Sequence, residues 1–133
     1  MSKIAVDTNV LLYFLDTSID QRRTKAAELI LLHPVFNSQS MSELINVLNR
    51  RWKFPKNSVI EIISRLMKEC QYVPITVQTI ELAFELVKKH DFQIFDAFIV
   101  ATALESGCEF LYSEDLQNGL VIDKRLTIIN PFV

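Results

Sequence analysis

A chain of 133 residues, 50% hydrophobic and 23% charged, carries enough apolar material for one folded domain spanning residues 1–133, and its composition excludes disorder as the main state. At this length folding hides roughly two-thirds of the unfolded chain's surface, so a core forms without disulfides or structural metals. Asp+Glu number 16 and Lys+Arg 14, which excludes a broadly basic nucleic-acid wrapper; yet residues 1–68 hold ten Lys/Arg against six Asp/Glu, and the rest four against ten.

Lys3 to Val6 reads as a short buried strand that stops at Asp7. A short helix, Asn9 to Leu15, follows. It contains the longest apolar run, Val10 to Leu15, which is far short of a membrane span, and Asp7 and Asp16 interrupt any signal-like segment. A cytoplasmic protein is expected. Arg22 to His33 repeats at helical spacing and stops at Pro34. Val35 to Asn37 is a second strand. Ser40 then opens a helix through Leu44, Ile45, Val47 and Leu48, with Ser40 and Glu43 fitting the two ends of a capping box.

Beyond Pro55 the pattern predicts a helix to about Cys70, a brief strand over Tyr72 to Ile75, and helices over Val77 to His90 and Ile94 to Ser106. Gly107 is placed as the last helix's stop. It and Gly119 are the only glycines, so no dinucleotide fingerprint or phosphate-cradling loop can be written. Cys70 and Cys108 match no zinc or redox spacing and read as small core residues of a reducing compartment. Phe110 to Tyr112 and Thr127 to Ile129 complete the strands. Short apolar strands separated by helices predict a three-layer α/β/α fold around a mainly parallel sheet.

Ligands gather outside the carboxyl ends of the strands in such a sheet, and the residues there are acidic. Asp7 closes the first strand, Glu43 follows the second, Asp115 lies three residues beyond Tyr112, and Asp96 starts a helix. Each also has a purely structural reading: Asp7 as an N-cap, Glu43 as part of the capping box, Asp115 as an Asx-turn acceptor, Asp96 as a complement to the helix dipole. The functional case rests on the set.

The segments Val6-Asp7-Thr8-Asn9-Val10-Leu11, Ser42-Glu43-Leu44, Asp96-Ala97-Phe98-Ile99-Val100-Ala101 and Tyr112-Ser113-Glu114-Asp115-Leu116 together resemble the four acidic blocks of PIN-domain nucleases. In size and block order the chain is most similar to the VapC-like toxins of toxin–antitoxin pairs. That resemblance implies an endoribonuclease in which Asp7, Glu43, Asp96 and Asp115 hold Mg²⁺ or Mn²⁺ and act in catalysis. Asn9 and Ser113 are expected to hydrogen-bond those carboxylates. Glu114 stands beside Asp115 as a second acid, and the Ser-x-Asp spacing points to Asp115. The resemblance further implies an antitoxin partner that covers the site through an inserted basic side chain, and a homodimer.

The chemistry suits these residue types. Phosphodiester hydrolysis needs a hydroxide, an in-line approach and compensation of charge on the phosphorane, which divalent ions held by hard oxygen ligands provide. Two like charges about 5 Å apart repel by roughly 3 kcal/mol at an effective dielectric near 20, so at least one acid should have a raised pKa without metal. His33 and His90 fall at predicted helix ends and receive no role.

Arg50, Arg51 and Lys53, interleaved with Trp52 and Phe54, are candidate RNA contacts; the same residues also read as a helix C-terminus with two core aromatics. Arg22, Arg23 and Lys25 open a helix, where cations oppose the dipole, suggesting a surface for RNA or an acidic partner. Two other functions fit the pattern: a catalytically silent PIN-fold module binding protein or RNA, and an RNA-processing nuclease without toxicity.

Overall fold

The computed structural model describes residues 2–18 and 20–133. Its elements in chain order are β1 (Ile4–Val6), α1 (Thr8–Leu15), α2 (Asp20–Ile30), β2 (Val35–Asn37), α3 (Ser38–Asn46), α4 (Lys56–Glu69), β3 (Gln71–Val73), α5 (Val77–His90), α6 (Ile94–Glu105), β4 (Phe110–Tyr112), β5 (Val121–Ile122) and β6 (Leu126–Ile129). A π-helical turn, Val47–Arg51, continues α3. The strands form one sheet in the order β3-β2-β1-β4-β6-β5, parallel except where β5 meets β6.

Both faces are covered, as short strands of uniformly apolar residues require. Ile4, Val6 and Phe36 point into a core with Val10 and Leu11 of α1, Leu44 of α3 and Val59, Ile63 and Leu66 of α4. Ala5, Val35 and Leu111 point the other way, toward Ala83 and Leu86 of α5 and the inner face of α6. This is the expected three-layer α/β/α arrangement. Alternation along β1 assigns successive residues to opposite layers.

β1 lies between β2 and β4, in register with β4 through Val6↔Tyr112. The chain therefore leaves β1 toward one edge and returns on its other side, which makes a topological switch point beside the carboxyl end of β1.

Several boundaries differ from the sequence expectation. α3 starts at Ser38, because Asn37 is its N-cap and its side-chain oxygen accepts from the Ser40 N–H at 3.0 Å. The Ser40–Glu43 capping box is thus corrected, and Glu43 lies in the second turn rather than the first. α2 stops at Ile30; His33 has a φ of 53°, so the chain has already left the helix before Pro34. The third strand is Gln71–Val73, not Tyr72 to Ile75.

β5 was not legible in the sequence. It has two residues and joins β6 through Asp123, Lys124 and Arg125, the first two at positive φ, the conformation of a primed turn without its usual Asn-Gly signature. Gly107 behaves as expected: at φ +74° it donates to the Leu104 carbonyl, and the Cys108 N–H donates to that of Ala103, which closes a Schellman motif.

Both cysteines are free and buried; burial pushes the Cys70 thiol up to about 12 and the Cys108 thiol to about 11. They are core residues. Among the described residues no helix is long and apolar enough to cross a membrane.

Asn37 joins layers as well as capping α3, since its amide donates to the Phe98 carbonyl at 3.2 Å and to the Thr102 hydroxyl at 3.0 Å, both on α6. Asn37→Ala is expected to lower stability by about 2–4 kcal/mol, the sum of a lost cap and buried groups left unpaired, read as a lower urea midpoint at unchanged m-value.

Candidate active site

Asp7 is the last extended residue after β1 and the N-cap of α1. One carboxylate oxygen accepts from the Thr8 N–H at 2.7 Å and the other from the Ser113 hydroxyl at 2.8 Å. Its capping role is real. Yet only 8% of the residue is exposed, and no cation pairs with it among the described residues. Burial raises its pKa to about 6; the two hydrogen bonds oppose that rise, and Glu43 and Asp96 add to it.

Asp7, Glu43, Asp96 and Asp115 line one hollow of about 200 Å³ together with Thr8, Asn9, Leu12, Gln39, Phe95 and Ile99. Among the described residues, no Lys or Arg is in this lining. Asp7 forms the buried floor, Asp96 is half-buried, and Glu43 and Asp115 stand exposed at the rim. The Asp96 carboxyl is also raised, chiefly by burial and then by the charges of Asp115 and Glu43. A raised pKa was expected from mutual repulsion. Loss of water proves the larger cause at both residues.

Neighbouring side chains hold the acids in place. Ser113, fully buried, donates to Asp7 while its oxygen accepts from the Asp115 and Leu116 N–H groups at 3.2 and 3.3 Å. The turn after β4 is therefore organised by Ser113, which corrects the Asx reading of Asp115. Asn9 donates to Asp115 Oδ2 at 3.1 Å and accepts from the Glu114 N–H at 3.3 Å. Asn9 and Ser113 thus hydrogen-bond to Asp115 and Asp7 respectively.

Three more contributors escaped the sequence reading. The Thr8 hydroxyl donates to Ser40 at 3.0 Å and ties α1 to α3. Gln39 donates to Glu43 Oε1 at 2.9 Å and to the Phe95 carbonyl at 3.1 Å, which sets Glu43 beside the start of α6. The i,i+4 spacing of Gln39 and Glu43 was a usable signal. Phe95 had none, because an aromatic in an apolar helix reads as core.

Glu114 is turned away from the hollow. Its Oε1 accepts from the Tyr13 hydroxyl at 2.6 Å and its Oε2 faces Arg22 Nε at 3.6 Å. Arg22 also lies over the Tyr13 ring, 5.1 Å from its centroid, and Arg23 donates to the Phe14 carbonyl. Lys25 pairs with Glu28 at 3.5 Å. The cations near the start of α2 thus fasten that helix or pair along it.

Arg50, Arg51 and Lys53 are exposed but lie outside the hollow, at the far end of the helix that carries Glu43. Trp52 and Phe54 pack against the core, with ring centroids 5.9 Å apart. The aromatics follow the structural reading. The cations remain at the surface.

Among the described residues, no three His, Cys, Asp or Glu side chains stand close enough to form a ready-made metal cage. The donors nevertheless suit a hard divalent ion. Such ions commonly take one or two protein carboxylates and keep several waters, and an anionic hollow with a buried, cation-free carboxylate at its floor matches that demand.

An open parallel sheet with carboxylates gathered at its switch point is a site architecture of the α/β class. Residues 4–117 match the family model described as the PIN domain, and the chain belongs to that family. Its fold is similar to that of a toxin–antitoxin complex from Klebsiella pneumoniae, with TM-score 0.74, 18% identity and 98% of each chain covered. It is also similar to VapC20 of Mycobacterium tuberculosis, described as a sarcin-ricin loop cleaving toxin, with TM-score 0.65, 23% identity, and 82% of this chain and 87% of that one covered. DNA-bound VapBC from Salmonella typhimurium aligns with TM-score 0.69 and 16% identity over 96% and 97% of the two chains. No curated protein matches by sequence.

The raised Asp7 pKa links the site to stability. With about 3.8 unfolded and about 6 folded, the native state binds more protons between those values, so metal-free stability is greatest below about pH 4 for this group and falls as pH rises toward about 6. Asp7→Asn is expected to stabilise the metal-free protein at neutral pH by up to about 3 kcal/mol and to flatten this dependence, measured by thermal melts across the pH range with chelator present.

Proposed function

We propose that this chain is a Mg²⁺- or Mn²⁺-dependent endoribonuclease acting in the cytoplasm as the toxin of a toxin–antitoxin pair, with residues 1–133 as a single catalytic domain. The observation that carries this reading is the hollow lined by Asp7, Glu43, Asp96 and Asp115 without a Lys or Arg. Membership of the PIN-domain family supports it, as do neighbours of similar fold that include toxins and toxin–antitoxin complexes.

Asp7 and Asp96 are the principal ligands in this reading, directly or through water, and Glu43 and Asp115 complete the ring and orient the attacking water. A bound divalent ion would supply an acidified water and compensate charge on the phosphate oxygens. The protein's part is positional. Ser113 and the Thr8 N–H hold Asp7 in one rotamer, Asn9 holds Asp115, and Gln39 holds Glu43. Because Asp7 must lose its proton to bind a cation, metal affinity weakens as pH falls below about 6.

Arg50, Arg51 and Lys53 would contact phosphates of the RNA outside the hollow, where exposed cations add salt-dependent affinity. An antitoxin would cover the site by bringing a basic side chain to the carboxylates that lack one. A homodimer is part of the same reading.

Purified protein is expected to cleave RNA with Mg²⁺ or Mn²⁺ and to lose that activity in chelator. Asp7→Asn and Asp96→Asn should each reduce cleavage by about two orders of magnitude or more, while Glu114→Gln, which leaves the hollow intact, should cost about tenfold or less. Wild-type protein that cuts no RNA, or variants that cut equally well, would identify a silent binding module instead. Growth arrest on expression, relieved by a co-expressed antitoxin, separates a toxin from an RNA-processing enzyme.

A further inference from the structure

Phe95 is 68% exposed in the wall of the carboxylate hollow, immediately before Asp96. The residues after it show what an apolar side chain on α6 normally does: Ala97 is fully buried and Phe98 packs against the core. Phe95 is held where it stands. Its carbonyl accepts from the Gln39 amide that also holds Glu43, and its ring meets that of Phe98 edge-on, with centroids 6.1 Å apart. Most of the ring stays in contact with water beside the acids.

The hollow's lining supplies no cation to a polyanion, so a nucleotide next to the reacting phosphate has to be held there by neutral contacts and by whatever ion is bound. Stacking on an aromatic face is such a contact, available to any unpaired base and worth about tenfold or more in affinity. We propose that Phe95 is the base-stacking platform of this site, with the nucleobase beside the scissile phosphate of single-stranded RNA lying against its ring and the phosphate thereby positioned over Asp7 and Asp96. The assignment rests on the nuclease reading above. Phe84 and Ile94 are also exposed nearby, and a second protein copy is the competing occupant; the place of Phe95 in the carboxylate wall, where its backbone carbonyl shares the Gln39 amide with Glu43, favours the nucleotide.

The test compares wild type, Phe95→Ala, Phe95→Tyr and Phe95→Trp in steady-state cleavage of a short single-stranded RNA with Mn²⁺, and of the same RNA lacking the base beside the cut bond. Phe95→Ala should raise KM about tenfold with kcat little changed, and Tyr and Trp should restore it. The abasic substrate should impose a similar penalty on wild type and none in addition on Phe95→Ala, as expected when both changes remove one contact. Phe95→Ala with a wild-type KM overturns the inference and leaves the nuclease reading standing; a wild type that cuts no RNA removes both. A dimer that dissociates in Phe95→Ala, seen by sedimentation at unchanged KM, assigns the ring to a protein contact and also overturns the inference.

Discussion

The buried carboxylate of Asp7 sets the terms for everything around it. An ionised group with 8% of its surface exposed and no partner cation among the described residues is costly, and the two hydrogen bonds it accepts offset only part of that cost, which is why its pKa stays near 6. It cannot relax outward, because it ends the central strand and caps the helix that follows. A neutral residue would serve the cap with less penalty. The fold tolerates a strained charge where an incoming cation would relieve it, an arrangement that concentrates at functional sites.

Topology explains why residues so distant in sequence meet around that charge. Adjacent parallel strands bring their carboxyl ends to the same edge, and β1 pairs with β4 in register, so Asp7 and Ser113 become neighbours although 106 positions separate them. An antiparallel pairing would have sent them to opposite edges. Glu43 and Asp96 then arrive from opposite layers, α3 above the sheet and α6 below it, and Asn37 clamps the two by capping one and bonding to the other. The hollow is therefore as rigid as the contact between layers.

Much of this was legible in the residues. The ends of β1, β2, β4 and β6, the helix stop at Gly107 and the places of Asp7, Glu43 and Asp115 beyond their strands follow from apolar period, left-handed glycine chemistry and the rule that sites form beyond parallel strands, whereas Asp96 joined the set through the resemblance to the PIN-domain blocks. What escaped was of two kinds. Asn37 serves at once as the last residue of β2 and the cap of α3, and a local capping-box pattern three residues later outcompeted it on paper. β5 and Phe95 are decided by tertiary context alone: two residues of strand lie below any periodic signal, and nothing in an apolar helix start tells which aromatic faces out.

Glu114 and Asp115 show how finely that context works. Sequence sets two acids side by side after β4, with the Ser-x-Asp spacing alone to separate them. The Ser113 hydroxyl accepts from the N–H groups of Asp115 and Leu116, so the chain turns sharply there, and successive side chains leave in different directions. Glu114 meets Tyr13 and Arg22 and has its charge compensated. The Asp115 carboxylate accepts from the neutral amide of Asn9, and the residue lines the hollow. Glu114 is tied into the structure by Tyr13 and Arg22, while Asp115 lines the hollow beside Asp7, to which the same Ser113 hydroxyl donates.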